Sequence, residues 1–401
     1  MGDAFSFLKN STLSRSELNY ESGKFKYIHY GDILTKFGDI TDTRNFSVPF
    51  VTTPEKVIRL EKYFLQNGDV VIADAAEDSM VGKVTEIQNS APFPTVSGLH
   101  TIPIRPNKEF AAGFLGHYMN APFYHDQLFK LMQGVKVLSL SKSAVIQTKI
   151  NFPSYCEQRL ISRMINLIDG TITLHEEKKH QLERLKSALL QKMFADKSGY
   201  PDIRFEGFSD EWEQCKLGDL ADRVTTKNKG MVSELPLTIS AQDGLISQDE
   251  FFNKKVASKD LSSYLLLHHG DFAYNKSYSN GYPFGTIKRL EKYPQGVVSS
   301  LYIAFKPNSS ISSDFMAQYY ESNNWHKEIY KCAAEGARNH GLLNVPPSDF
   351  FATNLNIPIT KSEQLKIGRL LNAVDQTITL HDQKLNLLKL VKQSLLQNMF
   401  I

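Results

Sequence analysis

Two segments of the chain place apolar residues in the alternating four- and three-residue steps of a heptad repeat. The pattern predicts two long helices that pack along a seam, one within 153–200 and one within 359–401. In the first helix the seam positions are Ile161, Ile165, Ile168, Ile172, His175, Lys179, Leu182, Lys186, Leu189 and Met193. In the second helix they are Ile367, Leu371, Val374, Ile378, His381, Leu385, Leu388, Lys392, Leu395 and Met399.

Part of this set is assigned to helix pairing or to a partner interface: Ile168, Ile172, His175, Leu182, Leu189, Met193, Val374, Ile378, His381, Leu388, Leu395 and Met399. The two histidines on the seam suit a polar pair that fixes the register of the helices. Further apolar residues widen the stripe beyond a two-helix seam, which predicts surface for a partner. They are Leu185, Leu190, Phe194, Val391, Leu396 and Phe400.

The two helical segments are copies of each other. Glu157–Ala195 aligns with Glu363–Ile401 at an offset of 206, without a gap and with 19 identities in 39 pairs. Chance would give about two identities, so the chain contains an internal duplication.

The regions between these copies are more distant repeats. Asn67-Gly68-Asp69 matches His269-Gly270-Asp271, and each region has short strand-like runs, turns and then helical stretches. The expected fold class is α+β, with two globular domains separated by two long helices that pair as an antiparallel coiled coil with pseudo-two-fold symmetry. The expected domains are 1–152, a central helical region 153–200, a second domain 201–358 and a C-terminal helical region 359–401.

The alignment of the two globular domains is unequal at its start. Gly2-Asp3 aligns with Gly218-Asp219, yet nothing in the first domain aligns with Phe208–Leu217, which contains Trp212. We expect the first domain to lack this opening segment, so either the natural start lies upstream or another element covers that edge.

Composition and charge narrow the classes of protein only slightly. The apolar content of 41% is ordinary for a soluble protein, and the absence of a long apolar run or a signal peptide predicts a cytoplasmic protein with no membrane span. The formal net charge is +3, and neither globular domain is strongly basic. Net charge therefore gives no support for nucleic-acid binding, and any basic surface must be local.

The motifs that would carry catalysis or hold a metal are incomplete. His175 and His180 are five residues apart, which is about 140° around a helix, so they do not share one metal. Asp78–Lys83 resembles the end of a phosphate loop, but Glu77 stands at the position of the first glycine. We expect no catalytic residues, no metal site and no cofactor in this chain.

Polar and aromatic loops offer side chains that suit contacts with DNA bases and phosphates. One such loop spans 274–282 and another spans 336–341, and their counterparts in the first domain are 74–83 and 134–141. The candidate DNA-binding residues are Lys83, Lys136, Ser139, Lys276, Ser277, Tyr278, Tyr282, Arg338, Asn339 and His340.

The arrangement resembles the specificity subunits of type I restriction–modification systems. The resemblance rests on the runs Asp169–His175 and Asp375–His381, on Ala188–Phe194 and Ser394–Phe400, and on Trp212 with Lys216–Leu220. It implies two target-recognition domains that each read one half of a bipartite site in double-stranded DNA. It also implies helices that set the spacer and dock two methyltransferase subunits, and further association with restriction subunits.

The resemblance implies no catalytic activity of this chain, and S-adenosylmethionine, ATP and Mg²⁺ would belong to the partner subunits. One alternative is a stand-alone coiled-coil protein that binds DNA or acts as a scaffold, which should be more basic than this chain. Another alternative is an enzyme with an unrecognised site, which predicts turnover by the purified chain.

Overall fold

The computed structural model describes every residue except 78–79, 197, 255–256, 259, 278–280, 334–342 and 401. The chain forms two compact units. Unit 1 comprises Met1–Glu176 and Gln383–Ile401, and unit 2 comprises Glu177–Asp382. Unit 1 is therefore built from two separate stretches of the chain.

Unit 1 combines two mixed sheets with short helices. Its strands are β1 (Phe5–Phe7), β2 (Leu18–Asn19), β3 (Lys26–Ile28), β4 (Ile40–Asp42), β5 (Phe50–Val51), β6 (Val70–Ala73), β7 (Ala75–Ala76), β8 (Val84–Gln88), β9 (Thr95–Ser97), β10 (Thr101–Pro106) and β11 (Leu138–Ser139). Its α-helices are α1 (Tyr30–Thr35), α2 (Glu55–Ile58), α3 (Phe114–Asn120), α4 (Pro122–Phe129), α5 (Lys142–Gln147) and the first part of α6 (Tyr155–Lys192), with 3₁₀ turns at Arg15–Glu17 and Glu61–Tyr63. The main sheet has the order β1-β10-β6-β8-β4, the second sheet has the order β2-β5-β3-β9, and β7 pairs with β11.

The central strand β6 shows why the main sheet of unit 1 is buried on both faces. Because successive side chains of a strand point to opposite sides, Val70 and Ile72 pack with residues of α3, α4 and α6. Val71 and Ala73 join a second cluster around Ile33 of α1. A strand covered on both faces is apolar at every position, as the run of Val70–Ala73 is.

Unit 2 repeats the same mixture of elements. Its strands are β12 (Glu213–Lys216), β13 (Ala221–Arg223), β14 (Leu237–Ser240), β15 (Gly244–Ser247), β16 (Leu265–His268), β17 (Phe272–Asn275), β18 (Thr286–Arg289), β19 (Gln295–Val298), β20 (Ile303–Pro307) and β21 (Asn354–Ile357). Its helices are α7 (Leu217–Leu220), α8 (Gln248–Phe252), α9 (Ser313–Glu321), α10 (His326–Ala333), α11 (Pro347–Phe351) and the first part of α12 (Lys361–Asn398). Its main sheet has the order β13-β20-β17-β18, with β12-β21, β14-β15 and β16-β19 as separate pairs.

The main sheets of the two units share one topology. The antiparallel series β1-β10-β6-β8 of unit 1 corresponds in order and in chain position to β13-β20-β17-β18 of unit 2. In both units a helix rich in aromatic residues, α3 or α9, follows the sheet. The smaller sheets differ between the units. The predicted fold of two α+β domains with two long helices is confirmed.

The helices α6 and α12 pass from one unit into the other, and their ion pairs define their relative direction. In unit 1, Asp169 and Glu176 of α6 contact Lys392 and Lys389 of α12. In unit 2, Lys179 and Lys186 contact Asp382 and Asp375. Residue numbers rise along one helix as they fall along the other, so the helices are antiparallel. Among the described helices, none is both long and apolar enough to cross a membrane.

Candidate nucleic-acid interface and the helix seam

The structure places every seam position of the heptad frame in a buried or half-buried environment, on both α6 and α12. Ile161, Ile165 and Ile172 are among the buried residues of α6, and Ile367, Leu371, Val374 and Leu385 among those of α12. His175 and His381 are half-buried. The additional stripe residues differ in exposure, and Leu190 and Leu396 are half-buried. Phe194 and Phe400 are buried, whereas Leu185 and Val391 are exposed.

The lysines on the seam are neutralised by acids of the facing helix. In unit 1, Lys392 Nζ lies 2.8 Å from an Asp169 carboxylate oxygen. In unit 2, Lys186 Nζ lies 2.6 Å from Asp375. These two pairs are the same pair under the offset of 206, since Lys186 corresponds to Lys392 and Asp169 to Asp375. A cation at a seam position therefore has a matching carboxylate on the other helix.

In unit 1 this ion pair continues into the globular part. Lys392 Nζ also donates to Asp39 Oδ2 at 3.0 Å, and Asp39 contacts His117 Nδ1 at 2.9 Å. The other ring nitrogen of His117 lies 2.8 Å from Asn166 Oδ1. Burial opposes ionisation of Asp39, but hydrogen bonds and charge from His117 and Lys392 lower its pKa to about 2.

Asp39, His117 and Asp169 bring possible metal-ligand atoms within 4.8 Å of one another. The ammonium of Lys392, however, contacts both carboxylates and supplies the positive charge that a metal ion would bring. The residues therefore suit an internal salt bridge rather than a metal ion. Sequence reasoning missed this cluster because Asp39 and His117 lie in regions with no shared motif.

At the same junction of unit 2 the globular part contributes an uncharged side chain, Gln318. Gln318 Nε2 donates to Asn372 Oδ1 at 2.8 Å and to Asp375 Oδ2 at 3.0 Å. Asn372 is the repeat counterpart of Asn166, and Gln318 of α9 takes the place that His117 has in α3. In each unit the globular part is thus bonded to the same positions of the helical repeat, through a histidine and an aspartate in unit 1 and through a glutamine in unit 2.

The last residue pair of each helical repeat, Met-Phe, packs into a globular core. In unit 1, Phe400 lies against Phe114 and Tyr118, with ring centroids 5.8 and 5.3 Å apart. In unit 2, Phe194 lies against Phe315 and Tyr319, with centroids 5.4 and 5.9 Å apart. The phenylalanine near the end of each repeat therefore has a core-packing role.

The candidate DNA-binding residues of unit 1 lie in different environments. Lys83 is half-buried and its Nζ donates to Leu34 O at 3.1 Å, and burial lowers the pKa of this lysine. Lys136 is exposed in the turn that precedes β11. Ser139 is exposed on β11, where its hydroxyl donates to Gln133 O at 3.3 Å. Lys136 and Ser139 are therefore accessible to a ligand, whereas Lys83 is already engaged.

In unit 2 the candidate loop follows β17. Lys276 Nζ donates to Val345 O at 3.3 Å, and burial lowers the pKa of this side chain. The amide of Ser277 donates to Asn275 Oδ1, and Tyr282 is 39% exposed. Tyr278, Arg338, Asn339 and His340 lie outside the described residues. Direct DNA contact by any of these side chains stays a prediction.

Glycine shapes the return of this loop into β18. Gly285 has a φ of +77°, and a Cβ atom there would lie 2.2 Å from Asn275 O. Tyr274 closes the same turn by donating its hydroxyl to Phe284 O at 2.8 Å. The loop between β17 and β18 is therefore anchored at its base by groups of the core.

Comparison with known proteins shows what this chain is similar to. Residues 1–184 match the family model described as the type I restriction modification DNA specificity domain. The putative type I restriction enzyme MjaX specificity subunit of Methanocaldococcus jannaschii is 22% identical over 192 residues, which are 46% of this chain and 42% of that protein. The type I restriction enzyme EcoKI specificity subunit of Escherichia coli K12 is 21% identical over 307 residues, which are 72% of this chain and 63% of that protein. The chain thus spans less than two thirds of the length of these relatives.

A solved structure shares the fold over the full length of this chain. The S subunit of a type I restriction-modification system from M. genitalium superimposes with a TM-score of 0.60 at 15% identity, covering 100% of this chain and 94% of that one. The duplicated helices, the repeated sheet topology and the matched family model agree with one another. In its family model and in these relatives the chain is similar to the specificity subunits of type I restriction–modification systems, and it shares the fold of a solved S subunit.

Proposed function

We propose that this chain selects the DNA sequence on which a type I restriction–modification enzyme acts. Units 1 and 2 each read one half of a bipartite site in double-stranded DNA. The observation that carries the proposal is that both units have the same main sheet and the same attachment to the helices, while their smaller sheets and loops differ. Two units with the same main sheet but different loops can approach DNA in the same orientation and contact different base sequences.

The two helices set the distance between the half-sites. Each helix has 38 residues, which at 1.5 Å per residue gives about 57 Å. Ion pairs along the seam hold their register. A rigid spacer is needed because two half-sites on a duplex are recognised together only at a fixed separation and phase.

Apolar residues away from the seam support docking of methyltransferase subunits. Leu160, Leu167 and Leu174 recur every seven residues on α6 and are 63%, 63% and 65% exposed. Leu380, the repeat counterpart of Leu174, is 63% exposed on α12. Exposed apolar stripes of this kind are typical of protein interfaces. Methyl transfer and DNA cleavage belong to the partner subunits, with their S-adenosylmethionine, ATP and Mg²⁺.

Exchange of one recognition domain tests the proposal. Residues 201–356 are replaced by the same region of a relative, and the chimaera is expressed with the methyltransferase of its system. One half of the modified site should change while the other half and the spacer stay the same, because each unit has its own core. Sequencing of modified bases in the host genome gives the site directly.

The reciprocal exchange of residues 1–152 is the matched control and should change the other half. If either exchange altered both halves together, the two units would not be independent readers. A stand-alone DNA-binding protein would instead bind its site with equal affinity and specificity without any methyltransferase.

A further inference from the structure

An open pocket in unit 1 lies between the first turns of α6 and the loop that leads into α3. Its volume is about 400 Å³, and the loop contributes Ala111 and Ala112 to its lining. The lining residues of α6 extend from Tyr155 to Leu167. They recur at steps of three and four residues, so they share one face of the helix.

This face of α6 carries hydrogen-bond donors that have no partner. Arg159 and Arg163 line the pocket and are exposed, and among the described residues neither makes a hydrogen bond or an ion pair. Their guanidinium groups are four residues apart on the helix, where like charges repel each other. None of the described residues that line the pocket is acidic. The pocket therefore suits a ligand with a negative charge.

Two neutral side chains of the lining add further donors. Ser162 is 2% exposed, and its hydroxyl has no hydrogen-bond partner in the described part of the chain. Such a buried group is uncommon, because its bonds to water are lost without replacement. Asn166 Oδ1 is engaged with His117 Nε2 at 2.8 Å, which leaves its amide Nδ2 as a donor without a described partner. An acceptor atom in the pocket would satisfy these groups.

The corresponding place in unit 2 can be compared position by position. The amide of Ala111 in unit 1 donates to Gln158 Oε1 at 3.1 Å. The amide of Ser312 in unit 2 donates to Gln364 Oε1 at 2.8 Å, and Gln364 is the repeat counterpart of Gln158. Both units thus attach the loop before α3 or α9 to the long helix in the same way.

Unit 2 has no room for a side chain where unit 1 has Ser162. The repeat counterpart of Ser162 is Gly368, and a Cβ atom there would lie 2.7 Å from Asp314 Cβ. The start of α9 therefore packs directly on α12. Leu365 of unit 2 corresponds to Arg159, so the pair of arginines is also absent from the repeat. The pocket and its charge are features of unit 1 alone among the described residues of these two places.

The surroundings of the arginines favour a carboxylate of a protein over a phosphate of DNA. Leu167 lines the pocket, and both Leu167 and Leu174 belong to the exposed leucines of α6. The DNA backbone is charged along its length and is bound through cationic and polar groups rather than through leucines. A protein that covers the leucines can place an acidic side chain on the adjoining arginines, with paired hydrogen bonds of fixed geometry.

We propose that the pocket receives an aspartate or glutamate side chain of the methyltransferase subunit that covers the leucines of unit 1. The carboxylate binds Arg159 and Arg163 and accepts a hydrogen bond from Ser162. This inference rests on the proposed function, since it names a contact by which one methyltransferase subunit docks. It makes the two docking surfaces unequal, because unit 2 offers only Arg369 at the equivalent place and no room beside it.

Binding of the methyltransferase to variants of the full chain tests the proposal. The methyltransferase of the same system is titrated into the chain, and native mass spectrometry measures the complexes with one and with two methyltransferase subunits. Arg159→Gln combined with Arg163→Gln should weaken binding of one subunit about a hundredfold and leave binding of the other unchanged. Arg369→Gln is the matched control and should change either affinity by no more than about twofold. Equal effects of the two sets of changes would overturn the proposal.

Ser162→Ala separates binding from folding. Because the hydroxyl has no partner in the free chain, its removal should leave the midpoint of urea unfolding unchanged or higher. Binding of the same methyltransferase subunit should weaken about fivefold, because the carboxylate loses a donor. A lower unfolding midpoint with unchanged binding would show a structural role for this hydroxyl and would contradict the proposed contact.

Photo-crosslinking identifies the acidic group. A photoreactive amino acid in place of Tyr155, which is 46% exposed at the pocket, should label a methyltransferase segment that contains an aspartate or glutamate. Replacing that acid by arginine should weaken binding, and Arg163→Glu in this chain should restore it. A labelled segment without an acid, or label transferred to duplex DNA in the complete complex, would overturn the proposal.

The native chain distinguishes failure of this proposal from failure of the proposed function. If the native chain forms no complex with the methyltransferase, the proposed function fails and this contact fails with it. If the native chain and the arginine variants bind the methyltransferase with equal affinity, the proposed function stands and only this contact is wrong.

Discussion

Lys392 joins three parts of unit 1 with a single ammonium group. It contacts Asp169 across the helix seam and Asp39 of the globular part, and Asp39 in turn contacts His117. Lys392→Met keeps the length of the side chain but leaves two carboxylates close together without their cation. The free energy of unfolding should fall by about 2–3 kcal/mol, since removing one partner of a largely buried pair costs more than the pair contributes.

Lys389→Met is the matched control, because Lys389 contacts Glu176 in a pair that is half exposed on both sides. Its effect should stay below about 1 kcal/mol. Urea unfolding followed by circular dichroism compares the two variants. Equal losses would mean that the contact to Asp39 adds nothing to stability.

The contacts of Asp39 also predict that the free energy of unfolding depends on pH in the acidic range. The pKa of Asp39 is lowered to about 2 in the folded chain, below its ordinary value of 3.8. A carboxyl with a lowered pKa stabilises the fold above its unfolded pKa, and this contribution disappears as the pH falls from about 4 to about 2. The stability difference between the native chain and Asp39→Asn should therefore shrink over that range. A difference that stays constant between pH 6 and pH 2 would contradict the assignment.

At the scale of elements, each long helix ends inside a globular core. Phe400 is 4% exposed between Phe114 and Tyr118, so Phe400→Ala should open a cavity and destabilise unit 1 by about 3–5 kcal/mol. Leu390→Ala on the same helix is the control, since Leu390 is 63% exposed. Hydrogen exchange of β6 and β10 should rise strongly in the first variant and not in the second. If the hydrogen-exchange rates of β6 and β10 were unchanged in Phe400→Ala, the end of the helix would not stabilise the sheet.

The elements also show what a sequence can reveal about such a chain. The heptad pattern predicts the two long helices because seam positions are buried and recur every three or four residues. The duplication shows the same pattern a second time. The role of Phe194 and Phe400 could be predicted only in part. Their apolar character predicts a buried contact or interface, but the rings that they contact, Phe315 and Phe114, lie in distant segments of the chain. Asp39 and His117 carry no periodic signal, because their positions follow from tertiary contacts alone.

At the scale of the whole molecule, we expect the length of the helices to set the distance between the half-sites. Inserting one heptad into each, between Lys178 and Lys179 and between Lys384 and Leu385, preserves the spacing of the seam. Seven residues lengthen a helix by about 10 Å, which is about three base pairs of B-DNA. The modified site should acquire a longer spacer, or activity should be lost because three pairs rotate one half-site by about 100°. The half-site bases should stay the same.

Sequencing of modified bases reads the outcome, and a chain with the heptad inserted into only one helix is the control. The single insertion puts the seam out of register and should abolish assembly. An unchanged spacer with full modification in the doubly extended chain would show that the helices do not set the distance.

The composition of unit 1 has a genetic consequence. Because its core includes residues after Asp382, unit 1 is complete only when residues 383–400 are present. A premature stop codon in that stretch would leave the sequence of the second domain intact and damage the first. During synthesis on the ribosome, the N-terminal part of unit 1 must likewise wait for residues 383–400 before it acquires Phe400. Nonsense and frameshift alleles within codons 383–400 should therefore destabilise unit 1, leave the residues of unit 2 intact and, on the proposed function, lose the half-site that unit 1 reads.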